Sequence, residues 1–317
     1  MIINNILFVG LGNIGIRHFQ SICNLKKKYK CFLVDPKIEL VKEKLIKLNK
    51  IHELIFSEKI FFDEKFFEFT IISTNSDIRK EIIMMLMKRY VIKNYFIEKV
   101  PFTNELIYNS IINRFSKINS KCYVNYVRNF MPCYADLKNK INSKKKIIVE
   151  VYGNDWNLAS NSFHFLSLFS YLNNGKKVFV SRSNFSKPFV SKRKNFYEIK
   201  GSIEIKTSEN DILLLSDDKN TTNNDCIIIK NDNNIYIIFE DKKIMIHNDT
   251  NNAKVKKVKF PFLLVSEMTY KIINTKNHDR LFFNNLNYNY KNEIILLNYL
   301  TLVFKKYGFK SKQLPIT

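Results

Sequence analysis

A chain of 317 residues, 45% hydrophobic and 14% aromatic, is long and apolar enough for two domains with separate cores. This composition excludes a disordered protein. The formal net charge is +23, but only 8 of the 52 basic residues are arginine, and because specific readers of nucleic acid depend on arginine, we expect no nucleic-acid partner.

The first part of the chain alternates short apolar runs with amphipathic stretches, which is typical of a parallel α/β sheet. The predicted strands are Ile6–Val9, Cys31–Val34, Phe69–Ser73, Tyr95–Ile97 and Cys122–Val127. The predicted helices are Asn13–Lys28, Lys37–Leu48, Asp77–Arg89 and Thr103–Phe115. We therefore expect a dinucleotide-binding Rossmann domain with a doubly wound parallel sheet over residues 1–121, and a ligand crevice at the carboxyl ends of its strands.

The pattern changes beyond about residue 130. The predicted elements there are the strand Ile147–Tyr152 and the helices Pro132–Ile141, Ser162–Leu172, Phe262–Ile273 and Glu293–Tyr307. Residues 177–256 alternate between apolar and polar side chains and are interrupted by Asn/Asp clusters, which indicates an antiparallel sheet with hairpin turns. This predicts an α+β substrate domain with a mostly antiparallel open sheet over residues 122–317.

Membrane insertion and secretion are not expected. No apolar run approaches the roughly 18 residues of a membrane helix, and the apolar start Ile6–Val9 is too short for the core of a signal peptide. The five cysteines are scattered and lack CxxC spacing, which indicates reduced thiols without a disulfide framework or a zinc site. We expect a cytoplasmic protein with no membrane contact and no bound metal.

The run Gly10-Leu11-Gly12-Asn13-Ile14-Gly15 stands between the first predicted strand and the first predicted helix. In that context the first glycine permits the tight turn, the second lets the backbone approach a pyrophosphate, and the third lets helix and strand pack closely. The phosphates are then held at the positive end of the helix, near Asn13 and Ile14. The alternative is an ordinary glycine turn.

Asp35 ends the second predicted strand, 20 residues after Gly15. An acidic side chain at this place accepts the ribose hydroxyls of NAD. The nearby Lys37 would suit a 2′-phosphate, which leaves NADP open as the cofactor.

Two further segments end predicted strands at the ligand-binding edge of the sheet. Thr74-Asn75 form the polar turn after the third strand, and Glu98-Lys99 follow the fourth. A lysine at this edge can hydrogen-bond a substrate hydroxyl or stabilise a developing alkoxide. Taken alone, one lysine among so many is more often a surface charge.

Several motifs together resemble the Gfo/Idh/MocA oxidoreductases. They are Gly10-Leu11-Gly12-Asn13-Ile14-Gly15-x-Arg17-His18, Glu98-Lys99, Val124-Asn125-Tyr126-x-Arg128-x-x-x-Pro132 and Asn161-Ser162-Phe163-His164. The resemblance implies NAD(P)-dependent hydride transfer at a hydroxyl-bearing carbon of a sugar, sugar nucleotide or related polyol. It also implies a homodimer or homotetramer formed through the second-domain sheet.

The resemblance also assigns residue roles. Lys99 would orient the substrate hydroxyl, and His164 would remove or return its proton; Thr74, Asn75 and Glu98 would contribute to the cofactor site, and Asn161 to the substrate site. From the residues alone, a histidine in an apolar helix is more often a core residue than a catalyst.

Two other residues are candidates for the substrate site. Trp156, in a loop before the histidine helix, would stack on a sugar ring or simply pack. Arg128 would clamp an anionic substrate group or form a structural ion pair.

The chain departs from the family pattern at three positions. Val100 separates Lys99 from Pro101, where the family has proline directly after Glu-Lys, and Ser160 and Ser167 stand where it commonly has acids. The Asn-Ser-x-His segment is similar to a subgroup associated with surface polysaccharide. The missing acids motivate an alternative, a catalytically weakened member that binds NAD(P) in a structural or sensing role.

Overall fold

The computed structural model describes residues 4–218, 226–274, 283–310 and 313–317, and it divides the chain into two compact units. The first comprises Met1–Phe102, Leu106–Val127 and Leu263–Leu286. The second comprises Thr103–Glu105, Arg128–Phe262 and Asn287–Thr317. The chain therefore returns to the first unit late in its course, a feature that hydrophobic periodicity gives no sign of.

The first unit contains a six-stranded sheet. Its strands are β1 Asn4–Val9, β2 Tyr29–Val34, β3 Glu53–Ser57, β4 Phe66–Ile72, β5 Val91–Ile97 and β6 Lys121–Val124. Their order is β3-β2-β1-β4-β5-β6, and all neighbouring pairs are parallel. The winding reverses between β1 and β4, which places a ligand crevice at the carboxyl ends of these two strands.

Helices connect the parallel strands of the first unit. They are α1 Asn13–Ile22, α2 Glu39–Leu48, α3 Arg79–Arg89 and α4 Glu105–Phe115, and the returning chain adds α7 Val265–Asn274. Helix α1 buries Ile16, Phe19 and Ile22, the spacing of one helical face. Helix α7 packs against α1, where the Tyr270 amide donates to Ser21 Oγ at 2.9 Å.

The second unit contains an eight-stranded sheet of order β16-β15-β14-β13-β7-β12-β11-β8 and a two-stranded ribbon, β9 with β10. The bounds are β7 Ile147–Gly153, β8 Val178–Phe185, β9 Phe189–Val190, β10 Tyr197–Glu198, β11 Gly201–Thr207, β12 Ile212–Asp217, β13 Cys226–Asn231, β14 Asn234–Phe239, β15 Ile244–Asp249 and β16 Lys254–Lys259. Among the described strands of the large sheet, β7 and β12 pair in parallel and the other neighbouring pairs are antiparallel.

The helices of the second unit are α5 Pro132–Lys140, α6 Leu158–Leu172 and α8 Leu286–Lys306, with a short 3-10 helix at Val127–Phe130. The central strand β7 alternates buried and half-buried residues, as expected of a sheet with one covered face. Helix α6 is apolar and buries thirteen of its fifteen residues, so it is a core helix.

The predicted fold class is confirmed: a Rossmann-type parallel sheet followed by a mostly antiparallel sheet. Strand β3 was not predicted, because this edge strand is only partly buried and lacks a clear alternation. The first helix ends at Ile22, not at Lys28, and the segment after β6 turns into the 3-10 helix instead of continuing as a strand. Across the described ranges, no helix combines the length and apolarity needed to cross a bilayer.

Candidate functional site

The glycine turn lies at the switch point of the first sheet. The Gly10 amide donates to Val34 O at 2.9 Å, and Gly10 has φ +89°, which favours glycine. A Cβ on Gly15 would lie 2.0 Å from the Gly10 carbonyl oxygen, so helix α1 can start here only because residue 15 has no side chain. Asn13 and Ile14 form the first turn of α1, where unpaired N–H groups favour a phosphate.

Gly12 differs from the other two glycines of the turn. A Cβ at Gly12 would meet no atom within 4 Å, and its backbone is extended, with φ −65° and ψ −170°. Folding of the chain therefore does not require a glycine here. A ligand that passes close to the backbone at the start of α1 would require it.

A pocket of about 740 Å³ opens beside this turn. Its wall includes Gly10, Gly12, Asp35, Thr74 and Asn75, so the structure brings together five of the residues predicted to bind the cofactor. The hydroxyls of Ser73 and Thr74 are buried and have no hydrogen-bond partner within the described part of the chain. A volume of this size with a few convergent polar groups is typical of a small-molecule site.

The outer wall of this pocket is apolar, and its residues were not predicted from the sequence. Phe61, Ile78 and Met85 line the pocket, although they are 69%, 50% and 42% exposed. The Arg89 guanidinium lies 5.1 Å from the centre of the Phe61 ring, within the range of a cation–π contact. These side chains come from the segment after β3 and from α3 with its preceding turn. Their exposure kept them out of the predicted core.

Asp35 stands at the carboxyl end of β2, as predicted. One carboxylate oxygen accepts the Leu11 amide at 2.7 Å and the other accepts the Lys37 amide at 2.8 Å. These two bonds fix the carboxylate beside the glycine turn. Each oxygen can still accept a second bond, such as one from a ribose hydroxyl.

Glu98 lies at the carboxyl end of β5 in a polar cluster. Its Oε1 accepts Asn125 Nδ2 at 2.5 Å and is 2.8 Å from His18 Nε2. The other ring nitrogen of His18 is 2.8 Å from Thr269 Oγ1. Burial alone would raise the pKa of Glu98, but the hydrogen bonds and charge of His18, with Asn125 and Arg79, lower it below the ordinary value of 4.5.

This lowered pKa predicts a specific acid sensitivity. A carboxylate with a depressed folded-state pKa stabilises the fold above its unfolded pKa, and this contribution is lost as the pH falls through the folded value. We expect Glu98→Gln to lower the free energy of unfolding by about 1.5–3 kcal/mol at pH 7, and the difference from the parent to shrink as the pH falls below about 4.5. Urea unfolding at pH 7, 5 and 3.5 measures it; a difference independent of pH would contradict the assignment.

Lys99 directly follows Glu98 and is half-buried. It therefore stands at the carboxyl edge of the first sheet, as predicted. Val100 is fully buried, so the residue inserted between Lys99 and Pro101 is part of the core of this edge.

Helix α6 carries the predicted histidine. Asn161 and His164 are the two residues of α6 that are not buried. Because they are three positions apart, they lie on one face of the helix. Both are residues predicted for the substrate site, and Asn161 Nδ2 donates to Trp156 O. Their role in binding a substrate stays a prediction.

Arg128 is held by neighbours within the second unit. Its Nε and Nη2 donate to the two Glu240 oxygens at 2.9 and 2.7 Å, and its guanidinium lies 4.2 Å from the centre of the Phe165 ring. Tyr134 also donates to Glu240, at 2.5 Å. The structural ion pair, one of the two alternatives for Arg128, is thus present. Phe165, which contacts the Arg128 guanidinium, directly follows His164 in the chain.

Trp156 is 9% exposed and takes part in packing. Its Nε1 donates to Ser216 O at 2.9 Å, and its ring meets Phe165 edge to face at 5.3 Å. The structure therefore gives Trp156 the packing contacts that were the alternative to sugar stacking.

Two remote carboxylates hold the start of α6, and neither was predicted. Glu198 is 3% exposed and accepts the Ser160 amide at 3.1 Å; Asp217 accepts the Asp155 amide at 2.7 Å. Acceptors at a helix N-terminus satisfy its unpaired N–H groups, and the helix dipole there favours a negatively charged acceptor. Glu198 thus places a carboxylate at Ser160, the position where an acid is missing from the sequence. No local pattern reveals it, because the contact spans 38 residues.

No group of three or more His, Cys, Asp or Glu side chains in the described ranges is arranged to hold a metal ion.

Comparison with protein-family models and with curated proteins finds no match. Comparison with solved structures finds many. UDP-N-acetylglucosamine 3-dehydrogenase GnnA from Acidithiobacillus ferrooxidans matches with a TM-score of 0.71 and 10% identity over 97% of this chain and 99% of that one. A dehydrogenase (MviM) from Clostridium difficile matches with a TM-score of 0.67 and 15% identity over 96% and 99%.

A super-repressor mutant of Gal80p from Saccharomyces cerevisiae also matches, with a TM-score of 0.69 and 13% identity over 96% of both chains. These likenesses extend over both units. The chain therefore has the two-domain fold of these dehydrogenases, which is the fold that its resemblance to the Gfo/Idh/MocA oxidoreductases predicted.

Proposed function

We propose that this protein is an NAD(P)-dependent oxidoreductase of the Gfo/Idh/MocA type. Its substrate is a sugar, sugar nucleotide or related polyol, and the reaction transfers a hydride between nicotinamide and a hydroxyl-bearing carbon. The observation that carries the proposal is the pocket at the β1–β4 switch point. There Gly12 leaves open space, and the described residues give the buried hydroxyls of Ser73 and Thr74 no hydrogen-bond partner.

The residues of the first unit fit a dinucleotide. The start of α1 at Asn13 and Ile14 suits the pyrophosphate, Asp35 suits the ribose hydroxyls, and the apolar wall at Phe61 suits the adenine. Two backbone amides fix the Asp35 carboxylate, which accepts a ribose 2′-hydroxyl and disfavours a 2′-phosphate. We therefore propose NAD as the preferred cofactor. Bound nicotinamide supplies or accepts the hydride.

The chain's own residues handle the substrate proton. Lys99 donates a hydrogen bond to the reacting hydroxyl and stabilises negative charge on its oxygen. His164 removes that proton during oxidation and returns it during reduction. Asn161, on the same face of α6, hydrogen-bonds a neighbouring substrate group, and Arg128 lends its remaining N–H groups to the same role.

A sugar nucleotide is the substrate class we favour, since the GnnA dehydrogenase of the same fold acts on UDP-N-acetylglucosamine. The Asn-Ser-x-His segment supports a place in surface-polysaccharide synthesis, in the cytoplasm. The resemblance also supports a homodimer or homotetramer through the eight-stranded sheet, which light scattering would test.

A second function is favoured by two observations. Ser160 and Ser167 stand where the family commonly has acids that would stabilise a protonated His164. The fold also occurs in Gal80p, whose matched structure is that of a super-repressor mutant. A cofactor-binding protein with a structural or sensing role would bind NADH or NADPH without turning over any sugar.

The experiment that tests the proposal begins with the purified protein. Ligand released on denaturation is identified by absorbance and mass spectrometry, and the emptied protein is titrated calorimetrically with NADH and NADPH. Micromolar binding followed by turnover on a panel of UDP-sugars supports the enzyme; binding without turnover favours the second function. No binding of either cofactor would refute both.

The adenine assignment yields a separate prediction. Phe61→Ala removes the ring that lines the pocket beside Arg89. We expect NADH binding to weaken about three- to tenfold, since aromatic contacts contribute roughly 0.5–1.5 kcal/mol. The unfolding temperature should not change, because Phe61 is 69% exposed. Phe66→Ala, at another exposed phenylalanine outside the pocket wall, is the calorimetric control; equal losses in both variants would contradict the assignment.

A further inference from the structure

Arg79, the first residue of α3, is 1% exposed and is among the largest fully buried side chains of the described residues. Its guanidinium donates to backbone carbonyls from two different loops. Nη1 donates to Val100 O and, at 2.9 Å, to Pro101 O, while Nη2 donates to Thr74 O. One side chain therefore ties the turn after β4 to the turn after β5.

Burial of an arginine is expensive, because the charge loses its hydration and must be compensated by hydrogen bonds and neighbouring charge. A planar guanidinium offers five N–H donors in a rigid fork, so it can bind several carbonyls at fixed angles, which a lysine ammonium cannot do equally. The opposite charge comes from Glu98, whose pKa is lowered in part by the charge of Arg79.

Lys99 lies between two anchored segments. On its carboxyl side, Arg79 holds Val100 and Pro101. On its amino side, Glu98 is held by His18 and Asn125. The side chains that fix both neighbours come from α1, from α3 and from the segment after β6, so three elements converge on the backbone that carries this lysine.

We propose that Arg79 is a positioning residue for Lys99: by binding the carbonyls on its carboxyl side together with Thr74 O, it fixes the lysine relative to the turn that lines the cofactor pocket. The proposal rests on the proposed function, in which Lys99 contacts the substrate. It explains why a buried charge is kept where an apolar side chain would fill the space at lower cost.

The test is Arg79→Lys, which keeps the charge but not the fork, with the exposed Arg114→Lys as the matched control. We expect kcat for NADH-dependent reduction of a keto-sugar nucleotide to fall about 100-fold, the effect of a small misplacement near the chemistry. The KM and the NADH dissociation constant should stay within about threefold. A merely structural role would instead lower the unfolding temperature and leave kcat per folded protein unchanged.

A second readout does not need turnover. Pulse acetylation with acetic anhydride, quantified by mass spectrometry, reports the reactivity of Lys99 relative to the exposed Lys117. In Arg79→Lys this ratio should change at least about threefold, the effect of a shift of about half a unit in the pKa of the Lys99 ammonium. In Arg114→Lys the ratio should not change. If wild-type protein binds NADH but turns over nothing, the proposed function fails and the acetylation ratio still decides the role of Arg79.

A folded Arg79→Lys protein with parental kcat and an unchanged Lys99 ratio would overturn the proposal. If Arg79→Lys does not fold, Arg79→Gln replaces it, since the amide keeps two N–H donors without the charge. If neither folds, Glu98→Gln tests the other anchor, and an unchanged Lys99 ratio in that variant would equally overturn the idea that the two anchors position the lysine.

Discussion

Gly12→Ala is expected to weaken NADH binding by about 100-fold, or about 2.7 kcal/mol, and to leave the fold intact. The added methyl group meets no protein atom within 4 Å, and the extended backbone of Gly12 accommodates alanine. The only contact it can spoil is one with a ligand that approaches the start of α1, as a pyrophosphate does in dinucleotide sites.

Calorimetric titration with NADH and thermal unfolding measure the two effects on the same preparation. Gly15→Ala is the matched comparison, because its methyl group would lie 2.0 Å from the Gly10 carbonyl oxygen. That variant should lose both stability and binding, whereas Gly12→Ala should lose binding alone. Parental NADH affinity in a folded Gly12→Ala protein would rule out a pyrophosphate at this turn, and the proposed function with it.

Local sequence signals explain why the fold was predictable. The carboxyl-terminal halves of strands β1, β4 and β5 are buried and mostly apolar. The glycine spacing after β1 defines a strand–turn–helix geometry that few other sequences satisfy. Asp35 was found for the same reason, since its position depends only on the distance along the chain from Gly15. The alternation from β8 to β16 likewise marks an antiparallel sheet without any tertiary information.

Features that depend on distant contacts could not be predicted. Arg79 has no distinctive neighbours in the sequence, and its partners Val100 and Pro101 follow more than twenty residues later. Glu198 reaches Ser160 across 38 residues. The apolar wall at Phe61 consists of exposed side chains, and hydrophobic periodicity predicts only side chains that are buried in a core. The sequence shows which residues can donate, accept or carry charge, whereas the tertiary structure determines which of them are in contact.

Helix α6 lies between these two cases. Its apolar sequence predicted a core helix, and the motif singled out Asn161 and His164 by resemblance alone. The structure supplies an independent reason to choose the same pair, because they form the accessible strip of an otherwise buried helix. Asn161 also makes a local structural contact, because its Nδ2 donates to Trp156 O. A role of this pair in binding or catalysis stays a prediction.

Lys99→Ala and His164→Asn are each expected to lower kcat by about 10²- to 10⁴-fold, the usual contribution of a positioned acid, base or charge. NADH affinity should be retained, because neither residue lines the pocket beside the glycine turn. Lys117→Ala and His247→Asn are the controls, a lysine and a histidine away from both candidate sites, and they should turn over at the parental rate.

The two variants should also differ from each other in a way that separates their roles. If His164 transfers the proton, its loss should remove the limb of the kcat–pH profile that reports this group, whereas loss of Lys99 should lower the whole profile and leave its shape. The double variant should be little slower than the worse single one, since groups that act on one proton transfer are not additive. Full activity in both single variants would exclude this mechanism, while cofactor binding without turnover in the parent would instead favour the sensing role.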